Sequence, residues 1–130
     1  MTELKLLDCT LRDGGYHNHW DFPHNLIQDY LKSMEAISAD YVEIGFRSLN
    51  TKGYSGGCGY STDDFLKDFD IPLGVKLAVM VNGSELINYD KGVEAALRRL
   101  FVPAFESSVK LIRIACHIGE ISRILPGVFL

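Results

Sequence analysis

Four short apolar runs at a regular spacing constrain the fold of this chain more than any other feature. They begin at Leu4, Tyr41, Gly74 and Val109, so that 37, 33 and 35 residues separate successive starts. Each run has the length of a β-strand and is apolar almost throughout, as is typical of strands that are covered on both faces. The runs therefore predict four strands of a parallel sheet.

Segments between the runs carry apolar residues at helical spacing. Residues 26–37 form one such segment, and Pro23 precedes it where a first helical turn accepts proline. Residues 93–101 form another, which Pro103 is expected to end. Strands that alternate with helices at a fixed period indicate an α/β fold built from βα units.

Two shorter helices are also predicted. Ser61 with Asp64 three residues later resembles a capping box, which predicts the start of a helix. The sequence "GEISRIL" begins a helix near the end of the chain, and Pro126 is expected to end it early.

Two architectures fit this order of elements: an open doubly wound sheet and part of a (β/α)8 barrel. A complete barrel needs about 250 residues. The 130 residues supply four strands, about half of a barrel, and we expect residues 1–130 to form one domain.

Composition excludes several classes of protein. The net charge is −4 with both signs interspersed, so we expect neither a nucleic-acid partner nor an anionic membrane surface. No apolar run approaches the roughly 18 residues that a membrane-spanning helix needs. The three cysteines are far apart and form no CxxC pair, which favours a reducing compartment, and we predict a cytoplasmic protein.

Polar residues follow each predicted strand. In chain order they are Arg12, Asp13 and His17, then a glycine-rich loop over 53–60, then Asn82, then His117. In both candidate architectures the carboxyl ends of parallel strands gather at one edge and hold the chemistry. We therefore expect these side chains to meet at one site.

Glu43 and Arg113 are charged residues inside the apolar runs. Side chains alternate between the two faces of a strand. On the second strand this places Tyr41, Glu43 and Gly45 on one face, and on the fourth strand it places Arg113, Ala115 and His117 on one face. A buried charge must be paired, so Glu43 and Arg113 are expected to take part in buried ion pairs. Such a pair serves structure as readily as catalysis.

The loops leave further alternatives open. Asp13-Gly14-Gly15 is also ordinary turn chemistry, and the His17-x-His19 pair fits either a metal site or a solvated loop. The loop over 53–60 could surround a phosphate with backbone N–H groups. It is not the GxGxxG fingerprint and does not follow the first strand, so a dinucleotide site is not predicted.

The first motif resembles a known family. "LDCTLRDGG" is similar to the signature of the HMG-CoA-lyase-like superfamily of metal-dependent TIM-barrel enzymes, and "VEIGFRS" and "LIRIACHIGE" resemble its aldolase branch. That branch includes 4-hydroxy-2-oxovalerate aldolase and pyruvate carboxyltransferase domains. The resemblance implies a (β/α)8 fold, of which this chain is the N-terminal half.

The resemblance also implies an activity and roles for residues. It implies a lyase that makes or cleaves a C–C bond through the enolate of a 2-oxo acid, with a small 2-oxo or hydroxy-oxo acid as substrate. Asp13 would bind Mn²⁺ or Mg²⁺, Arg12 would stabilise the enolate, and Glu43 would orient Arg12. We expect Arg12, Asn82 and His117 to contact the substrate.

The sequence departs from the family pattern at two places. The stretch "RDGGYHNH" contains an inserted residue, so either Tyr16 or His17 occupies the position of the family's catalytic histidine. The family takes its other metal ligands from an His-x-His pair on a late strand, which lies beyond the four strands here. We therefore expect either a C-terminal half-barrel partner or a homo-oligomer; the alternative is a catalytically incomplete half-barrel that binds a partner or assembles with itself.

Overall fold

A computed structural model describes residues 3–130. Four parallel strands form one sheet in the order β1-β2-β3-β4. The strands are β1 (Leu7–Asp8), β2 (Tyr41–Phe46), β3 (Lys76–Asn82) and β4 (Val109–Ala115). Each falls on one of the predicted runs, and β3 extends one residue beyond its run, to Asn82. The predicted α/β fold with a parallel sheet is confirmed.

Helices connect and follow the strands. In chain order they are α1 (Thr10–Gly14), α2 (His24–Ala36), α3 (Gly57–Tyr60), α4 (Asp63–Leu66), α5 (Gly83–Ile87), α6 (Gly92–Leu100) and α7 (Ile121–Val128). Two 3₁₀ turns cover Gly15–His17 and Ile118–Glu120. Among the described residues, no helix is both long enough and apolar enough to cross a membrane.

Two details of the helices differ from the sequence prediction. Thr62, not Ser61, caps α4, because its hydroxyl accepts a hydrogen bond from the backbone N–H of Phe65. Ser61 is instead fully buried in the left-handed conformation that ends α3. Pro126 lies inside α7 and does not end it early, since the helix continues to Val128.

The two longest helices pack on the same face of the sheet. Ile27 and Leu31 of α2 lie in one buried cluster with Val42 and Ile44 of β2. Ala96 and Leu97 of α6 pack with Val81 of β3, whose side chain points to that same face. A doubly wound sheet carries helices on both faces, whereas this one-sided cover is compatible with half of a (β/α)8 barrel.

A β-bulge in β2 reverses the predicted direction of two side chains. Glu43 pairs with Ala78 and Gly45 pairs with Val79, so Ile44 is the extra residue. The prediction that Glu43 and Gly45 share a face is therefore wrong. Gly45 turns towards the helices, and Phe46 turns to the face that carries Glu43.

Arg47, the first residue after β2, supports this change of direction. Arg47 points to the helical side, where its Nη1 lies 2.9 Å from Oδ2 of Asp63 and its guanidinium lies 4.7 Å from the centre of the Phe101 ring. The bulge thus places Arg47 on the side of the helices. It places Phe46 on the opposite face of the sheet, the interior face, which also carries Glu43.

Gly45 is expected to tolerate no side chain. A Cβ at this position would overlap the backbone carbonyl of Cys58, which a small rotation cannot relieve. We predict that Gly45→Ala lowers the free energy of unfolding by about 2 kcal/mol or more, measured by urea denaturation. The matched control is Gly119→Ala, where a Cβ meets nothing within 4 Å. Equal stability of the two variants would contradict the bulge.

Candidate functional site

A buried carboxylate between two guanidinium groups forms the centre of the site. Glu43 is fully buried, and its Oε1 lies 2.7 Å from Nε of Arg12. Arg113 contacts both carboxylate oxygens, with Nε 2.6 Å from Oε2 and Nη2 3.0 Å from Oε1. The predicted ion pairs of Glu43 with Arg113 and Arg12 are confirmed.

The two arginines decide the charge of Glu43. Burial alone would raise the pKa of its carboxyl, but the hydrogen bonds and positive charges of Arg113 and Arg12 outweigh burial and lower the pKa. Glu43 is therefore a fixed anion at neutral pH. Two cations share this buried anion, and the exposed carboxylate of Asp13 balances the second positive charge through its contact with Arg12.

Hydrogen bonds around the short helix α1 fix the position of Arg12. The Asp8 carboxylate at the end of β1 accepts hydrogen bonds from the backbone N–H and the hydroxyl of Thr10, the first residue of α1. Arg12 lies on this short helix, and its backbone carbonyl accepts a hydrogen bond from the indole N–H of Trp20 at 2.8 Å. Its guanidinium lies 5.9 Å from the centre of the Phe46 ring, on the same interior face.

Asp13 lies at the exposed side of the cluster. Its side chain is 64% exposed, and its Oδ1 accepts a hydrogen bond from Nη1 of Arg12. Within residues 3–130 there is no group of three or more His, Cys, Asp or Glu side chains that could hold a metal ion. Asp13 is therefore not part of such a group among the described residues.

The two candidates for the general base lie in different surroundings. Tyr16 packs edge-on against Trp20 at 4.8 Å and against Phe46 at 6.2 Å between ring centres, which brings it to the interior face beside Arg12. His17 ends the following 3₁₀ turn and is exposed. Contact with Phe46 thus connects Tyr16, rather than His17, to the charged cluster.

Asn82 and His117 lie at or just after the ends of neighbouring strands and have different surroundings. Asn82 ends β3, and its amide lies 3.4 Å from Glu85 Oε1 at the wall of a cavity. His117 is exposed in the turn after β4, where its backbone N–H donates to Glu120 Oε2 at 2.9 Å. Of the polar residues expected to meet at one site, Asn82 lines this cavity, whereas Arg12, Asp13, His17 and His117 are not among its lining residues.

The cavity has a volume of about 290 Å³ and opens at the carboxyl ends of β2 and β3. Its lining residues are Tyr16, Trp20, Phe46, Ser48, Asn50, Lys52, Tyr54, Ser55, Gly59, Tyr60, Asn82 and Glu85. The sequence prediction missed Trp20, Phe46 and Tyr54. The glycine-rich loop, considered as a phosphate cradle, instead contributes aromatic rings and Gly59 to this wall.

Comparison with known proteins gives one solved structure. It is the "N-terminal domain of a putative aldolase from Bacteroides vulgatus", which matches 97% of this chain at 35% identity with a TM-score of 0.83. The chain spans 40% of the length of that protein. No protein-family model and no curated protein matches the chain. The chain is therefore similar in sequence and fold to the N-terminal domain of a protein named as an aldolase.

Loss of the central anion should destabilise the fold. Glu43→Gln would leave two guanidinium groups close together around a neutral amide, and we expect a loss of about 3 kcal/mol in the free energy of unfolding. The matched control is Glu94→Gln, which removes an exposed pair with Arg98 on one helix and should cost less than about 0.5 kcal/mol. Urea denaturation at neutral pH measures both losses.

The stability difference between the parent and Glu43→Gln should depend on pH. The pKa of Glu43 is lower in the folded state than in the unfolded state, so its stabilisation is present above the unfolded value of about 4.3. It is lost as pH falls through the folded pKa. The difference between parent and Glu43→Gln should therefore shrink below about pH 4, and a constant difference would mean that Glu43 is not ionised.

Proposed function

We propose that the chain is the enolate-binding half of an aldolase-type lyase that makes or cleaves a C–C bond through a 2-oxo acid. The observation that carries the proposal is the Arg12–Glu43–Arg113 cluster, in which one buried carboxylate holds two guanidinium groups in fixed positions. Enolates are stabilised by donors that are already in position before charge develops. The similarity to the N-terminal domain of a protein named as an aldolase supports the same class.

In the cleavage direction, the substrate would be a 4-hydroxy-2-oxo acid. A base removes the proton of the 4-hydroxyl group, the C3–C4 bond breaks, and its electron pair forms the enolate while C4 leaves as an aldehyde. Protonation of the enolate at C3 then gives the 2-oxo acid. Arg12 would donate to the enolate oxygen, and Glu43 would hold Arg12 in the required orientation.

We further propose that Asp13 supplies one ligand to Mn²⁺ or Mg²⁺. A carboxylate oxygen suits a hard divalent cation, and Asp13 is exposed beside Arg12. The remaining protein ligands would come from residues outside 3–130. Such a cation would supply charge stabilisation to the 2-oxo group.

The positions of the remaining candidate residues suggest which of them acts as base and which contact the substrate. Tyr16 is the better placed of the two candidates for the base, with His17 as the alternative, because Tyr16 contacts Phe46 on the interior face. Asn82 would contact the substrate from the cavity wall, and His117 would do so from the turn after β4. All three cysteines are free, which agrees with the proposed cytoplasmic location.

Enolate formation can be tested without knowledge of the aldehyde. In D₂O with Mn²⁺, the natural full-length polypeptide should exchange the methyl protons of pyruvate, which proton NMR follows directly. We expect Arg12→Lys to slow the exchange by about 10²-fold or more, because lysine cannot reproduce the planar fork. Asp13→Asn should weaken the dependence on Mn²⁺.

The matched controls are Arg98→Lys and Asp64→Asn, two conservative changes at exposed positions. Both should exchange pyruvate at the parental rate. Exchange that persists within a few-fold in Arg12→Lys would contradict the role of this arginine. Unchanged Mn²⁺ dependence in Asp13→Asn would contradict the proposed ligand.

A second candidate function, a half-barrel that binds a partner or assembles with itself, rests on a different observation. Apolar side chains are exposed along β4 and α7, at the edge of the sheet where a fifth strand would pair. They are Ile112, Ile118, Ile121, Leu125, Val128, Phe129 and Leu130. An uncovered strand edge with an apolar border favours association.

We expect the 130-residue chain to sediment as a dimer or larger species. Ile112→Lys and Ile118→Lys together should shift it towards monomer, because each places a charge on the apolar border. The control is Leu73→Lys, at a fully exposed position before β3. Sedimentation velocity distinguishes the species, and a parental monomer at all concentrations would contradict self-assembly.

A further inference from the structure

The backbone at the cavity is strained where it positions one aromatic side chain. His19 and Trp20 both have φ of +57°, a left-handed conformation that residues other than glycine adopt at a cost of about 1 to 3 kcal/mol each. The exit from the first loop therefore holds two strained residues in succession. Strain of this kind persists only where surrounding contacts impose it.

Those contacts fix the Trp20 ring. Its indole N–H donates to the Arg12 carbonyl at 2.8 Å, and its face lies against Gly15, where any Cβ would overlap the ring. The backbone N–H of Trp20 also donates to the Gly15 carbonyl at 3.0 Å. The indole is thus tied to the backbone of the same short helix that carries Arg12.

Trp20 is one wall of an aromatic enclosure. Its ring packs edge-on against Phe46 at 5.3 Å and Tyr16 at 4.8 Å between centres, and Tyr54 and Tyr60 line the same cavity. Tyr16 and Tyr54 are 64% and 70% exposed. Exposed rings that line a cavity remain available to a ligand.

Some polar side chains at the cavity already form hydrogen bonds with neighbouring loops. The Glu85 carboxylate accepts hydrogen bonds from the Ser48 hydroxyl and from the backbone N–H of Leu49, so it anchors the loop after β2. The Tyr54 hydroxyl donates to Asp21 at 2.7 Å and joins that loop to the first one. The cavity is therefore bounded by loops that these hydrogen bonds hold together, and the rings of Tyr16 and Tyr54 are exposed at its wall.

We propose that this cavity binds a planar aromatic ring, and that the aldehyde partner of the C–C bond is an aromatic aldehyde. Aromatic rings prefer edge-to-face and offset contacts with other rings, and the exposed rings of Tyr16 and Tyr54 at the cavity wall can supply such contacts. The cavity adjoins Arg12 through Phe46, so a ring held there lies next to the site of enolate formation. The identification of the aldehyde rests on the proposed function, whereas the binding of an aromatic ring in the cavity does not.

Ring binding can be measured directly through the indole of Trp20, the single tryptophan among these 130 residues. In a ¹H–¹⁵N spectrum of the natural full-length polypeptide, the loss of one indole resonance in Trp20→Phe assigns the signal of Trp20. Titration with benzyl alcohol, which carries neither charge nor carbonyl group, should shift that resonance saturably. The saturated analogue cyclohexylmethanol should bind about three- to ten-fold more weakly, since it cannot form ring-to-ring contacts.

Variants locate the site. Tyr16→Leu should weaken benzyl alcohol binding several-fold, and Tyr54→Leu serves the same purpose should Tyr16→Leu fail to fold. The matched control is Phe105→Leu, which removes an aromatic ring that is 87% exposed and outside the cavity. It should bind benzyl alcohol as the parent does.

Two outcomes would overturn the inference. Equal affinity for benzyl alcohol and cyclohexylmethanol would mean an apolar cavity with no preference for aromatic rings, and absence of a saturable shift would mean that no ring binds. Either result leaves the pyruvate exchange experiment unaffected, because that experiment needs no aldehyde. Loss of exchange with retained ring binding would reject the proposed chemistry alone.

Discussion

The burial of one carboxylate determines much of what surrounds it. Glu43 is completely enclosed within the sheet, and an isolated anion there would cost several kcal/mol. Arg12 and Arg113 reach it from α1 and β4, so elements about 30 and 70 residues away must be in place before the charge is satisfied. The interior face of the sheet is therefore organised around an electrostatic requirement, while its other face is organised around apolar contact with the helices.

The bulge at Ile44 brings a ring into this charged environment. Regular alternation after Glu43 would have placed Gly45 inside and Phe46 under the helices. With one extra residue in β2, Gly45 accommodates the backbone of α3 and Phe46 lies beneath Arg12. A small residue is thus used where a helix approaches the sheet, and a large apolar ring is placed where a ligand could meet the guanidinium. Both changes follow from a single shift of register.

Sequence patterns predicted the periodic features well and the local exceptions poorly. Apolar runs located all four strands, the charges within them predicted the ion pairing of Glu43 and Arg113, and the contact of Glu43 with Arg12 was implied by the family resemblance. The bulge left no trace in the apolar pattern, because Val42, Ile44 and Phe46 alternate as if β2 were regular. Trp20 was missed for a related reason: its position depends on a left-handed backbone and on contact with Gly15, neither of which composition or spacing reveals.

Arg12 connects the two parts of the site, since it is held on one side and free to change partners on the other. Its Nε is bound to a carboxylate that has no exposure, whereas its Nη1 is bound to Asp13, whose side chain is largely exposed. Exposed ion pairs contribute little and are readily exchanged, in contrast to buried ones. A ligand that competes for Asp13 would therefore release the donors of Nη1 without disturbing the orientation that Glu43 imposes. The guanidinium can thus be both rigidly placed and available, which is the combination that recognition of a developing negative charge requires.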